Sequence, residues 1–395
     1  MFACLPSARK AVARIFAFIS IVWLVACAPS GITPSGDTSG PRINPKAPVQ
    51  VALLVPGGTG EGTDALLAQN LENAARLAIS DLNGVKIDLR VYNTGADPLQ
   101  AASVASRAVD DGAKIILGPL FGEAANAAGI SVASRNVNVL AFSNNTTMAG
   151  GNVFILGATF QNTADQLVRY ASRQGIARYM IVHGDDLQGQ LGRDAIANAV
   201  RKYGAQVSGA ESYPLSQQAI VSSAGRIAAA TKAGGATAVF MTAGVNSDLP
   251  ILATALPEAG IDPAITRYIG LTRWYAAPQA LALPGLQGGL FALPDQGMSA
   301  LFNNRYAAAY GETPHPLAGL AYDGIAAIGA LVASGNPNAL SKSALTAPQG
   351  FQGTAGVFRL LPNGLNERSL SIATIRNNQV VILEQAPRSF GRSGS

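Results

Sequence analysis

Arg273, Trp274 and Tyr275 set a cation beside two aromatic rings, directly after the apolar run Arg267 to Leu271. Such a cluster clamps a ligand or anchors a protein partner; the plainer reading is an ordinary edge patch. His183 ends a second apolar run, and Asp185-Asp186 follow it. Two carboxylates beside an imidazole invite acid–base chemistry. They equally suit the start of a helix, where acidic side chains meet free N–H groups. A lone His makes neither a metal site nor a dyad, and the chain has only 2 His and 2 Cys. The other, His315, stands between Pro314 and Pro316 and reads as a surface loop. Gly57 to Thr63 is a glycine-rich turn between strand and helix, yet no Lys lies between Lys46 and Lys86. A phosphate loop needs that Lys, so the segment reads as a flexible turn. No Ser-His-Asp order and no G-x-S-x-G elbow appears. These residue types favour binding over catalysis, with no cofactor and no metal.

The elements that must position them alternate strand and helix. Val49 to Val55 is an apolar strand, followed by a helix to about Leu82. Strands are expected at Val85–Tyr92, Lys114–Leu117 and Val137–Phe142, with helices at Pro98–Val109 and Leu120–Ser134. Near-continuous apolar strands between helices signal a parallel sheet covered on both faces. The pattern then restarts. Helices at Gln161–Gln174, Leu191–Tyr203, Ser216–Ala233 and Ser247–Ala259 separate strands at Ala177–Val182, Ala205–Tyr213, Ala236–Met241 and Arg267–Leu271. An extended segment near Gln287–Pro294 precedes helices at Met298–Tyr310 and Leu317–Ala333. The end is β-rich, with Gly356–Leu360, Leu370–Ile375 and Val380–Leu383. Two such units suggest two lobes.

At 395 residues the chain has room for them. Charged residues make up 13%, about half the usual share, which excludes charge-driven disorder. The net charge of +5 owes much to Arg9, Lys10 and Arg14. Without them 25 basic side chains face 23 acidic ones, so no basic face for nucleic acid is implied. Those three residues precede the apolar stretch Ala11 to Val25 and the tetrapeptide Leu24-Val25-Ala26-Cys27. A positive end, an apolar run and small residues before a cut make an export signal, too short to span a bilayer. The tetrapeptide resembles the bacterial lipobox, which implies that residues 1–26 are removed and Cys27 is lipidated. Three acyl chains would anchor the protein firmly. Ala28 is not the acidic residue of an inner-membrane retention signal, so the outer membrane is the favoured site. Residues 27–47 read as a Pro/Gly/Ser-rich tether and 387–395 as a loose tail.

Five segments carry a family likeness. They are Ile115-Ile116-Leu117-Gly118-Pro119; Leu140-Ala141-Phe142-Ser143 with Thr146-Thr147; and Ile181 to Asp186 with Gly189. Ala321-Tyr322-Asp323-Gly324 and Phe351 to Phe358 with Pro362-Asn363-Gly364 complete the set. In this order they resemble type I periplasmic binding proteins, in particular the leucine/isoleucine/valine-binding branch, over about residues 48–384. The likeness implies an α/β fold of two lobes, each a mainly parallel sheet covered by helices on both faces, hinged by crossover strands. Lobe 1 would hold 48–157 and 294–345; lobe 2 would hold 158–293 and 346–386. Ligands of such folds sit at the carboxyl ends of the strands, here in the cleft between lobes. The cleft residues implied are Gly118, Pro119, Leu120, Phe121, Phe142, Ser143, Asn144, Asn145, Thr146, His183, Asp185, Asp186, Asn246, Thr272, Arg273, Trp274 and Tyr275.

Three departures from that branch stand out. Its amino-acid binders hold the carboxylate with Ser or Thr after the first-lobe turn; here Leu120-Phe121-Gly122 follows. They stack a Tyr before the second-lobe glycine; here Gln188 precedes Gly189. They take the ammonium on an acidic residue after a later strand; here Leu271-Thr272-Arg273-Trp274 stands. A lipobox with an altered amino-acid site resembles the penicillin-binding protein activator lipoproteins. That implies a role in stimulating a peptidoglycan synthase, with a class A penicillin-binding protein as partner on the periplasmic side of the envelope. The alternative is a substrate-binding lipoprotein of an ABC importer, with an amino-acid-like or amide ligand and a permease as partners. Tyr322-Asp323 reads as structural, its Asp bonded to a neighbouring loop.

Overall fold

The computed structural model describes residues 40–390. The expected leader, Cys27 and most of the expected tether lie outside the described residues. The last part of that tether is held in place. Ile43 is buried, and its N–H donates to the Pro337 carbonyl at 2.9 Å. An apolar side chain within reach of a core edge docks there.

The first lobe is built on five parallel strands. They are β1 (Val49–Val55), β2 (Ile87–Asn93), β3 (Ile115–Leu117), β4 (Val139–Ala141) and β5 (Val153–Ile155), in the order β2-β1-β3-β4-β5. Helices α1 (Gly62–Ser80), α2 (Pro98–Asp110) and α3 (Gly122–Ala133) connect the first four. Buried on both faces, β1 has no polar face to present, which is why its sequence is apolar but for the half-buried Gln50 near its start. Asp97 caps α2 by accepting the Gln100 N–H at 2.7 Å, with Pro98 at the first helical position. Gly118 ends β3 with φ +87°, and a Cβ there would lie 2.2 Å from the Leu54 carbonyl oxygen. Only glycine fits.

The chain then crosses to the second lobe, where α4 (Phe160–Arg173) leads into β6 (Arg178–Gly184). Helices α5 (Leu187–Lys202), α6 (Gln217–Ala233) and α7 (Leu249–Glu258) alternate with β7 (Gln206–Tyr213), β8 (Ala238–Met241) and β9 (Arg267–Gly270). The short α8 (Pro278–Leu281) precedes β10 (Leu290–Leu293). The sheet is completed late in the chain by β14 (Ser371–Arg376) and β15 (Gln379–Glu384), giving β15-β14-β10-β9-β8-β6-β7. Its last two strands run antiparallel; the others are parallel. This is the two-lobed α/β architecture expected.

Between β10 and β14 the chain returns to the first lobe. Helices α9 (Gln296–Tyr310) and α10 (Ala318–Ala333) bring Phe302, Tyr306, Ala321, Ile325 and Ile328 against Leu53 and Leu117. The single-turn α11 (Lys342–Leu345) adds Leu345 to that core. A small antiparallel sheet follows, from β11 (Phe351–Gly353), β12 (Gly356–Leu360) and β13 (Asn366–Arg368). It was expected to begin the second lobe's closing segment, from residue 346. Instead Phe351, Phe358 and Leu360 pack into the first lobe's core, and the chain enters the second-lobe sheet only at β14. The apolar side of this small sheet finds its cover on α10. The lobes are therefore joined at residues 156–159, 294–295 and 369–370. In the expected tail, residues 387–389 are exposed, while the Arg359 guanidinium lies 4.7 Å from the Phe390 ring.

Candidate functional site

One cavity of about 440 Å³ opens between the lobes. From the first lobe, the turn after β3 supplies Leu120 and Phe121, and the end of β4 supplies Phe142, Ser143 and Asn144. The start of α10 adds Leu317 and Leu320. From the second lobe come Arg273 and Tyr275, beyond the end of β9. The crossovers form its floor, with Gly157, Pro294 and Ser369. Strand ends converge here because parallel strands that alternate with helices all deliver their following loops to one edge.

The floor is pinned by a buried ion pair. Arg368 Nη1 donates to Asp323 Oδ2 at 3.0 Å, and the two side chains are 7% and 1% exposed. Asp323 Oδ1 accepts the Thr354 N–H at 2.6 Å. Arg368 Nε donates to the Leu156 carbonyl at 3.0 Å, and the guanidinium lies 4.9 Å from the Phe358 ring centre. Asn366 Nδ2 donates to the Ile155 and Gly157 carbonyls at 2.8 and 2.9 Å. Both Asp323 oxygens and most donors of this group are engaged in holding the crossovers together.

Arg273 differs. It is exposed, lines the cavity, and its guanidinium has no hydrogen bond or ion pair among the described residues. Tyr275 stacks on Phe291 with ring centres 6.3 Å apart. Burial pushes its phenol above the usual tyrosine range, against the opposing pull of Arg273, so it is neutral at pH 7. Trp274 turns the other way. It is fully buried in the second lobe's core, its ring 5.8 Å from Phe291. Gly270 makes room for it: a Cβ there would lie 2.1 Å from the indole. The tripeptide is thus split, with two residues facing the cleft and one the core.

The structure brings Leu120, Phe121, Phe142, Ser143, Asn144, Arg273 and Tyr275 together on the cavity wall. The other expected cleft residues stand apart from that wall. Gly118 and Pro119 are buried beneath it, the Pro119 carbonyl accepting the Phe142 N–H at 3.0 Å. Asn145 and Thr146 are exposed in a turn that Asn145 closes on the Thr147 N–H at 3.1 Å. His183 is buried, with Nδ1 2.7 Å from the Gly184 carbonyl. The Asp185 side chain is exposed, and Asp186 caps α5 by accepting the Gly189 N–H at 3.0 Å. Asn246 is exposed before α7, and Thr272 Oγ1 donates to the Ala243 carbonyl at 2.7 Å. Asp323, Thr354, Arg368 and Ser369 line the cavity although sequence reasoning did not place them there. For Asp323 the Tyr-Asp segment was a signal, read as structural. Arg368 and Ser369 carried none, because their neighbours are remote in sequence.

A family model described as periplasmic binding protein matches residues 48–379. The chain belongs to the periplasmic binding protein family. Its members are binding proteins, and the name places them in the periplasm. Three solved structures share the type I fold. A branched-chain amino acid ABC transporter periplasmic ligand-binding protein from Burkholderia xenovorans is 16% identical, with a TM-score of 0.65, covering 86% of this chain and 96% of its own. An ABC transporter substrate-binding protein from Desulfitobacterium hafniense, in complex with Leu, is 18% identical, with a TM-score of 0.59 and coverage of 85% and 100%. An ABC transporter solute-binding protein from R. palustris, in complex with 4-hydroxybenzoate, is 15% identical, with a TM-score of 0.56 and coverage of 87% and 98%. No curated protein matches the sequence.

Proposed function

We propose that this protein is the solute-binding component of an ABC importer. A small molecule enters the interlobe cleft, the lobes close about the three crossovers, and the closed form docks on a permease. The observation that carries this reading is the cavity of about 440 Å³ walled by both lobes, a volume within the roughly 300–1,000 Å³ of small-molecule sites. Family membership and the ABC transporter relatives support it. The sequence alone favoured a penicillin-binding protein activator; none of these relatives is described as one, and the import reading is the better supported. The lipobox-like segment ending at Cys27 suits either role, since both work at a membrane.

A thermal-shift screen of the full chain tests the proposal with amino acids, amides, small carboxylates and peptidoglycan fragments. Stabilisation by several degrees from one class of small solute is expected, because saturating a native-state site at about a hundred times Kd adds about 2.7 kcal/mol. No shift with any solute, together with capture of a peptidoglycan synthase from crosslinked envelopes, would overturn it in favour of the activator.

A further inference from the structure

Charge in the cleft is lopsided. Asp323 is the only carboxylate on the cavity wall among the described residues. It is 1% exposed, with one oxygen on Arg368 and the other on the Thr354 N–H. No acid is left for an ammonium group. Burying an unpaired ammonium costs several kcal/mol, so it is strongly disfavoured. Against this, Arg273 presents a guanidinium without a partner, and a guanidinium grips a carboxylate through two parallel hydrogen bonds. A second polar group is also unmatched. Ser369 is 2% exposed, lines the cavity, and its hydroxyl has no hydrogen-bond partner in the described structure. A buried hydroxyl left unmatched costs about 1–3 kcal/mol, which a ligand oxygen here would recover. Most of the remaining wall is apolar or aromatic, with Leu120, Phe121, Phe142, Tyr275, Leu317 and Leu320, and its other polar side chains, among them Ser143, Asn144 and Thr354, are neutral.

Resting on the solute-binding reading, we infer that the cleft takes a small carboxylic acid with an aromatic or branched apolar body and no amino group. Its carboxylate pairs with Arg273, its body packs among the aromatic and leucine side chains, and Ser369 supplies a further hydrogen bond. The selectivity is by omission: the wall satisfies one anionic group and offers no free carboxylate to a cation.

Matched pairs test this, each differing only by the ammonium group: isocaproate against leucine, and hydrocinnamate against phenylalanine. Titration calorimetry on the full chain is expected to show at least one acid binding about tenfold or more tightly than its amino acid, as befits loss of a charged partner. Arg273→Gln is expected to weaken that acid by about tenfold or more while leaving the melting temperature of the free protein unchanged. Gln in place of Arg107, exposed on α2 and outside the cavity, should leave binding unchanged. Ser369→Ala should weaken binding without lowering stability, since it removes an unmatched hydroxyl. Tighter binding of leucine or phenylalanine than of its acid would overturn this inference and leave the solute-binding reading standing. Equal acid binding by Arg273→Gln would overturn the role given to Arg273, and with it the inference. If neither pair binds, the inference falls; if the broader solute screen is silent as well and a peptidoglycan synthase is captured, the solute-binding reading falls with it.

Discussion

Asp323 and Arg368 are a carboxylate and a guanidinium held almost wholly out of water, 1% and 7% exposed. Their mutual attraction is offset by the cost of taking both out of water, so the pair as a whole adds little net stability. Breaking it from one side is another matter. Arg368→Met would leave the Asp323 charge buried with only the Thr354 N–H for company. We expect it to lower unfolding free energy by about 3–5 kcal/mol. Adding Asp323→Asn should recover much of that loss, because the neutral amide keeps an oxygen for Thr354 and removes the charge. Urea unfolding of the three proteins measures both steps; a single variant as stable as the parent would refute the role. Asp323 reads from sequence as a structural residue bonded to a neighbouring loop, and its bond to the Thr354 N–H bears that out; its pairing with Arg368 was hidden. They lie 45 positions apart, and nothing local in either segment announces the other. The opposite holds for Arg273 and Tyr275, whose cation–aromatic spacing marked them as a pair, though not which of the three neighbours would turn inward.

Helix α5 begins at Leu187, a turn earlier than the pattern of residues suggested. Gly189 and Gly192 lower helix propensity across that turn, yet Asp186 caps it and the glycines serve packing. A Cβ on Gly189 would lie 2.1 Å from the Gly184 carbonyl oxygen. The carboxylates that looked like an acid pair therefore divide, and Asp186 is spent on a backbone N–H. Asp186→Ala should lower stability by about 1 kcal/mol, the usual loss of an N-cap, with ligand affinity unchanged. A marked loss of affinity at unaltered stability would return Asp186 to the ligand site. Legibility varied in the same way among strands. The seven residues of β1, six of them apolar and buried, were plain, whereas β5 and β13, three residues each, were not. A three-residue strand has too little sequence to show a period and exists only because a neighbour pairs with it. Strand β12 showed its pattern without showing which lobe it would cover.

At the scale of the molecule, two large sheets bury separate cores and the chain passes between the lobes three times, an arrangement suited to hinge closure on a ligand. Anchoring belongs to this scale as well. We expect Cys27→Ser to move the protein from the membrane fraction to the soluble periplasm on cell fractionation; unchanged membrane partition would refute lipidation there. The sequence by itself determined the fold class, because alternating apolar strands and amphipathic helices admit few arrangements, and a right-handed crossover rule leaves fewer. It also carried the cation and aromatic ring that face the cleft, as neighbours along the chain. Only the tertiary structure decided that Trp274 belongs to the core, that Asp323 is already neutralised by Arg368, and that Ser369 reaches the cavity without a partner. Those facts depend on contacts between remote segments, whose energies are set by burial and geometry rather than by residue type.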